Sequence, residues 1–369
     1  MSLYVPSETT KPARFSMNLA GLARRAEAIV LPLGALLAGF AVFSLFLHLQ
    51  GKSPADFFGL VYRGGFGTAF SWQNTLSRAA PLLFAALCVA LPARLGLVVI
   101  GGEGAIVLGG VAAGFTGVVL SETPAGFALP AMMVCAMLTG ALWIGAVGVL
   151  RHYRGVNETI ASLLMAYIAI ALMNHLVEGP LRDPASLNKP STAPLGETFR
   201  VGNLPGWDVH WGLAVGIVTC VLAWVLMDKT TWGFAARIAG GNVRAAQVQG
   251  LPVGKLIIGF TALGGASAGM AGFFEVAAVH GSANASLASG YGYSGILIAF
   301  LARHNPLAII PVAILLAGFE ASSGLVQRRM DLPDATVMVL QGFVFMSILM
   351  SDTLYGRFKI FTPERWRSS

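Results

Sequence analysis

Ten stretches of this chain are apolar and nearly free of charge, and the runs Ala28 to Leu49, Thr123 to Leu150 and Val276 to Ala302 contain no Asp, Glu, Lys or Arg at all. A bilayer core about 30 Å thick is crossed by about 20 apolar residues of helix. Inside lipid no water satisfies a free backbone amide, so a chain of this kind folds as helices that bond to themselves. Composition agrees: 56% of residues are hydrophobic and 11% charged, against about 25% charged in an average soluble protein. The expected fold is all-α, a polytopic transmembrane helical bundle of about ten spans. Its 369 residues read as an N-terminal tail over 1–27, one membrane domain over 28–352 and a C-terminal tail over 353–369, with no separate soluble catalytic domain. The run from Ala28 exceeds a signal-peptide core, so it reads as a retained first helix.

The expected spans are Ala28–Leu49, Arg78–Ala93, Gly104–Leu120, Phe127–Leu150, Glu158–Leu176, Trp211–Met227, Leu256–His280, Tyr293–Leu301, Pro306–Ala321 and Ala335–Met350. Placing the N-terminus in the cytoplasm leaves Lys52, Arg63, Arg78, Arg182, Lys189, Arg200, Arg328 and Arg329 outside and 16 of the 24 basic residues inside. That is the bias expected of cytoplasmic loops, and it places both termini in the cytoplasm. The net charge of +7 is scattered through connectors and follows no helix face, which argues for membrane topology and against nucleic acid. Pro54 to Trp72 carries aromatics at 57, 58, 62, 66 and 70; it fits either an interfacial amphipathic segment or a plain loop. Cys88, Cys135 and Cys220 all lie in apolar stretches, as small hydrophobes do, and imply neither a disulfide framework nor a zinc site.

No GxxxxGK[ST] phosphate loop exists in the sequence, so energy from ATP must come from a partner chain. No HExxH motif occurs, and the six His residues are spread over span ends and connectors, so an enzyme is not indicated and no cofactor is expected. Glu158 follows Asn157 at a helix start, where an Asn cap and a first-turn carboxylate serve the free amides and the helix dipole. Glu103 at the start of the third span has the same two readings, cap or solute contact. The scarcity of ionisable groups near mid-membrane suits a neutral solute. The glycine-dense run Gly264 to Gly272 predicts close helix packing. Glycine groups at Gly96–Gly104 and Gly290–Gly295 interrupt the apolar pattern, as broken helices do where backbone lines a cavity.

The connector Asp228 to Lys255 is longer than two spans need. In it Asn242 is placed to cap a short helix over 243–249, and Gly250 to end it in the left-handed conformation. Such a helix projects small and basic residues from the cytoplasmic face, as a docking surface or as an anchor on anionic lipid.

These segments resemble the membrane permeases of ATP-binding-cassette importers for simple sugars, nucleosides and branched-chain amino acids. GLVVIGGEGA at 96–105 is similar to that family's glycine-glutamate-glycine signature, NETIASLLMAYIA at 157–169 to its NExxxxLxxxYIA segment, and GYGYSGILIAFLARHNP at 290–306 to its glycine-rich approach to a short helix. RIAGGNVRAAQVQGLPV at 237–253 resembles its ATPase-contacting loop. The resemblance implies a type II importer permease in the cytoplasmic membrane, working with a second permease subunit, ABC ATPase subunits and an extracytoplasmic substrate-binding protein. It implies ATPase coupling through Arg237, Asn242, Arg244 and Gly250. It leans to the nucleoside and simple-sugar branch, although Val99, Ala105 and Ala166 stand where relatives often carry polar residues. Expected pathway residues are Glu103, Asn157, Glu158, Tyr167, Asn174 and Tyr291. The competing expectations are an ion-gradient-driven secondary transporter and a membrane scaffold.

Overall fold

The computed structural model describes the backbone of residues 19–354 and the side chains of residues 34–351. The tails expected at 1–27 and 353–369 fall largely outside this range. Thirteen α-helices follow in order: α1 (Leu19–Leu49), α2 (Pro54–Gly65), α3 (Ala69–Ala93), α4 (Gly102–Val119), α5 (Ala125–Arg154), α6 (Glu158–Glu178), α7 (Gly212–Lys229), α8 (Thr231–Gly241), α9 (Val243–Val248), α10 (Val253–Phe274), α11 (Tyr291–Leu301), α12 (Pro306–Met330) and α13 (Ala335–Leu354). Among the described residues there is no strand, only isolated bridges at Ser191–Asn284 and Asn203–His210. Among the described residues seven helices are long and apolar enough to cross a bilayer: α3 to α7, α10 with its extension, and α12. Counting α1 and α2 as one broken span makes eight. The eighth expected span, as α11, has 11 residues and rises about 16 Å, half a bilayer core.

The expected boundaries shift where polar residues belong to helices. The second span starts at Ala69 instead of Arg78, because Thr68 caps α3 by accepting from the Ser71 amide at 3.0 Å. The hydroxyls of its first turns then satisfy the end of α2: Ser71 donates to the Arg63 carbonyl at 2.8 Å and Thr75 to that of Gly65 at 2.7 Å. So Pro54–Trp72 is not one amphipathic segment; α2 ends at Gly65 and its last aromatics open α3. The ninth span runs on to Met330. The seventh begins at Val253 and passes into a π-helical turn over Glu275–His280 that Gly281 ends at φ +70.

The described residues form two compact units, one up to Phe46 and from Gly342 onward, the other Leu47–Gln341. In the first, Phe43, Phe46 and Phe343 gather with ring centroids 5.9 to 6.4 Å apart, and Gly39 backs onto the Val344 backbone. In the second, α3, α4 and α10 are central, with most of their residues buried, whereas most residues of α5, α6 and α7 are not buried and these helices keep an apolar face outward, as lipid-facing helices do. Glycine sets the spacing of the centre. A Cβ on Gly265 would overlap the Gly140 carbonyl, one on Gly269 the Ala136 carbonyl, and one on Gly272 the Ile106 carbonyl. The run 264–272 therefore packs α10 onto α4 and α5, as its density predicts.

One motif escaped the sequence reading. Gly265-Ala-Ser267-Ala-Gly269 spells GxSxG, yet it lies inside α10, with no strand-to-helix turn to expose a nucleophile. The Ser267 hydroxyl donates to the Leu263 carbonyl at 3.2 Å, an ordinary in-helix bond.

Candidate functional site

Two structures stand out, a buried clasp between α4 and α11 and a platform made of α8 and α9. In the clasp Glu103 is 1% exposed. Its carboxylate accepts from the Gly290 amide at 2.7 Å through Oε1 and from the Gly292 amide at 2.6 Å through Oε2. Glu103 stands in the first turn of α4 and its partners at the start of α11, so one carboxylate serves the positive ends of two helices. Gly290 takes φ +88 to start α11, and Gly292 leaves no room for a Cβ against the Glu103 backbone. Beside it, Gly101 and Gly104 bring α4 onto Ser162 and Ala166 of α6. The Ile100 amide donates to the Ser162 hydroxyl at 3.0 Å, and Thr159 donates to the Val98 carbonyl at 2.9 Å. The glycine-glutamate-glycine segment thus holds both the 157–169 segment and the start of α11.

Asn157 caps α6, its Oδ1 accepting from Thr159 at 2.9 Å and Ile160 at 3.1 Å. Glu158 pairs with Arg151 at 3.2 Å. Tyr291 is half-buried at the start of α11, and Asn174 is half-buried on α6. Tyr167 is 58% exposed, on the face of α6 that also carries Ile160, Leu164 and Ile168. Of the six expected pathway residues, the structure brings Glu103 and Tyr291 together at the clasp. It puts Asn157 and Glu158 at the start of α6, and Tyr167 follows Ala166, against which Gly104 of the clasp packs.

The platform begins where Thr230 caps α8, accepting from the Gly233 amide at 3.2 Å. Asp228 binds Arg94 and, at 2.8 Å, Arg237. Arg94 also donates to the Met227 carbonyl at 3.2 Å, which ties the end of α7 to the end of α3, and Asp228 carries the link on to Arg237 of α8. Arg237 is therefore engaged within the chain. Sequence reasoning overlooked Arg94 and Asp228; the single acid in a basic connector was the available signal. Asn242 caps α9 by accepting from the Ala245 amide at 3.0 Å, and Gly250 follows at φ +75, with the Leu251 amide returning to the Ala246 carbonyl at 3.0 Å. The expected helix is present, ending at Val248 instead of Gln249. Ala246 is buried beneath it, while Arg244 is exposed and Val248 is 90% exposed.

Residues 71–349 match the family described as branched-chain amino acid transport system / permease component. The chain belongs to that family. It is a permease component, a multi-pass protein of the cytoplasmic membrane, and not an enzyme. Similar proteins include a glucose ABC transporter permease of Haloferax volcanii, 32% identical over 89% of this permease and 89% of the relative. A guanosine ABC transporter permease of Bacillus subtilis is 28% identical over 89% and 95%, and a probable riboflavin import permease of Treponema pallidum 26% identical over 85% and 83%. Among the described residues the most exposed large apolar side chain of this permease, Val248, stands on the platform.

Proposed function

We propose that this permease is one of two permease subunits of a type II ATP-driven importer for a small neutral solute, a nucleoside or simple sugar like those named for its relatives. Ten spans with both tails, 1–27 and 353–369, in the cytoplasm account for the distribution of basic residues, with α11 as a half-length span. An ABC ATPase docks on α9, and an extracytoplasmic substrate-binding protein delivers the solute. The observation that carries this reading is the platform: a six-residue helix, capped at both ends, that presents Val248 and Arg244 outward and rests on Ala246. Arginine is among the residues that most often anchor protein interfaces, and here it stands exposed beside an exposed apolar side chain. The pathway forms where two permeases meet. The 28–352 domain supplies half of it.

Arg244→Glu in the assembled importer is expected to abolish stimulation of ATP hydrolysis by solute-loaded binding protein while membrane insertion and thermal stability stay unchanged. Undiminished stimulation would remove α9 from the coupling role. Uptake that persists without any ATPase subunit would favour an ion-gradient-driven transporter instead.

A further inference from the structure

A slot of about 550 Å3 opens between α4, α5 and α6, with Leu181 among its walls. Two wall residues carry polar side-chain atoms, and both are spent inside the chain: Thr139 donates to the Cys135 carbonyl at 2.8 Å and Trp143 to the Met165 carbonyl at 3.2 Å. The remaining walls are Phe115 and aliphatic side chains. Water needs several polar partners to stay in a cavity and finds none free here. A nucleoside or sugar would leave its own hydroxyls unpaired in it. The slot is therefore made for hydrocarbon and stands outside the solute's path.

Its length and its rim narrow the occupant. The Trp143 bond joins α5 to α6 at Met165, and the α6 wall, Leu172 and Leu176, lies between that point and the end of the helix. From Met165 to Leu176 a helix rises about 16 Å, about half of a 30 Å hydrocarbon core and so the depth of one leaflet. Phe115 and Leu142 in the walls are exposed, so the slot is open at the side, on the outward apolar faces of α4 and α5. Two charges flank its end in the chain: Glu178 closes α6 and Arg182 follows Leu181. Both are exposed, and among the described residues neither is in an ion pair. Arg182 donates to the Ser186 carbonyl at 3.3 Å, which leaves it further N–H groups to give. Glu178 adds its charge to the carboxyl end of α6, where a cation is favoured.

We propose that the slot is a lipid site: it holds one acyl chain of a phospholipid with an ammonium headgroup, phosphatidylethanolamine, whose phosphate binds Arg182 and whose ammonium faces Glu178. Guanidinium and phosphate make strong charge-assisted hydrogen bonds, and the acid beside them disfavours a headgroup that is only anionic. In the topology proposed above the lipid belongs to the outer leaflet. Two of its walls, α4 and α6, are the helices that the Gly104–Ala166 contact joins beside the clasp.

The test uses the full chain, assembled with its partner subunits in nanodiscs of equal parts phosphatidylethanolamine and phosphatidylglycerol, with a benzophenone side chain in place of Phe115. Illumination is expected to give mainly a phosphatidylethanolamine adduct, read by mass. Ala112→Phe, which fills the slot, is expected to lower that adduct at least about tenfold, the effect of denying about two methylenes their burial. A benzophenone in place of Leu222, on the outward face of α7, should keep its yield in the same variant. Should Ala112→Phe not assemble, Leu172→Phe carries the same test. Arg182→Glu is expected to remove the preference for phosphatidylethanolamine. Equal adducts with the two lipids in the unaltered slot, or a yield indifferent to the filling substitutions, mean ordinary boundary lipid and overturn the proposal. An adduct to a second permease in place of lipid assigns the slot to a subunit contact and overturns it too.

Discussion

The α4–α11 clasp and the α8–α9 platform are both built on helix ends, yet they treat polarity in opposite ways. In the clasp a carboxylate is sealed from solvent with each oxygen on a backbone amide. On the platform the caps are likewise satisfied, but Arg244 and Val248 are left facing outward. The clasp spends its polar group on holding the chain together, whereas the platform keeps its side chains for something outside it. Substitutions in the two should therefore separate stability from function.

The largest effect is expected at the clasp. Glu103→Ala leaves two buried amides without acceptors, at about 1–3 kcal/mol each, and should lower the melting temperature of detergent-purified protein markedly, with the yield of folded protein falling alongside. A melting temperature equal to that of Arg244→Glu, which should match the unaltered protein, would erase the contrast. Next comes the helix seam: Gly140→Val forces α5 off Gly265, an overpacking cost of about 1–3 kcal/mol visible as a lower denaturation midpoint. Asn157→Ala removes two cap bonds and should cost about 1 kcal/mol, with Asn157→Asp restoring most of it; equal loss in both would deny the cap.

The smallest effect concerns His210, in the segment before α7. Its Nδ1 accepts from the Gly212 amide at 3.1 Å, and Nε2 lies 3.3 Å from the Ser77 carbonyl, so the ring fits as the neutral Nε2–H tautomer. Burial lowers its pKa below the ordinary 6.5, and the bond to Ser77 opposes this in part. The unfolded chain therefore takes up a proton before the folded one does, so this contribution to stability is present above pH 6.5 and is lost as pH falls below it. A melting temperature measured across this range should show a decline that His210→Gln lacks.

How much of this was legible in the sequence depends on distance along the chain. Asn242, Gly250, Asn157 and the glycine run act on neighbours a turn away or on any close helix, and residue type alone predicted their roles. The clasp could not be read in the same way, because Glu103 and Gly290 are 187 positions apart and no local pattern pairs them; at Glu103 the sequence left cap and solute contact both open. Arg237 looked free for a partner because its acid, Asp228, is on the far side of a helix start. The onset of α3 was missed because its first turns are polar for the sake of α2.

The Arg94–Asp228–Arg237 triad has a mechanical consequence. It bolts the base of the platform to α3, whose residues from Ala79 to Pro92 are buried without interruption. If α9 takes up a partner's load as proposed, that load is handed through the triad to the innermost rod of the bundle instead of being absorbed by a loose connector.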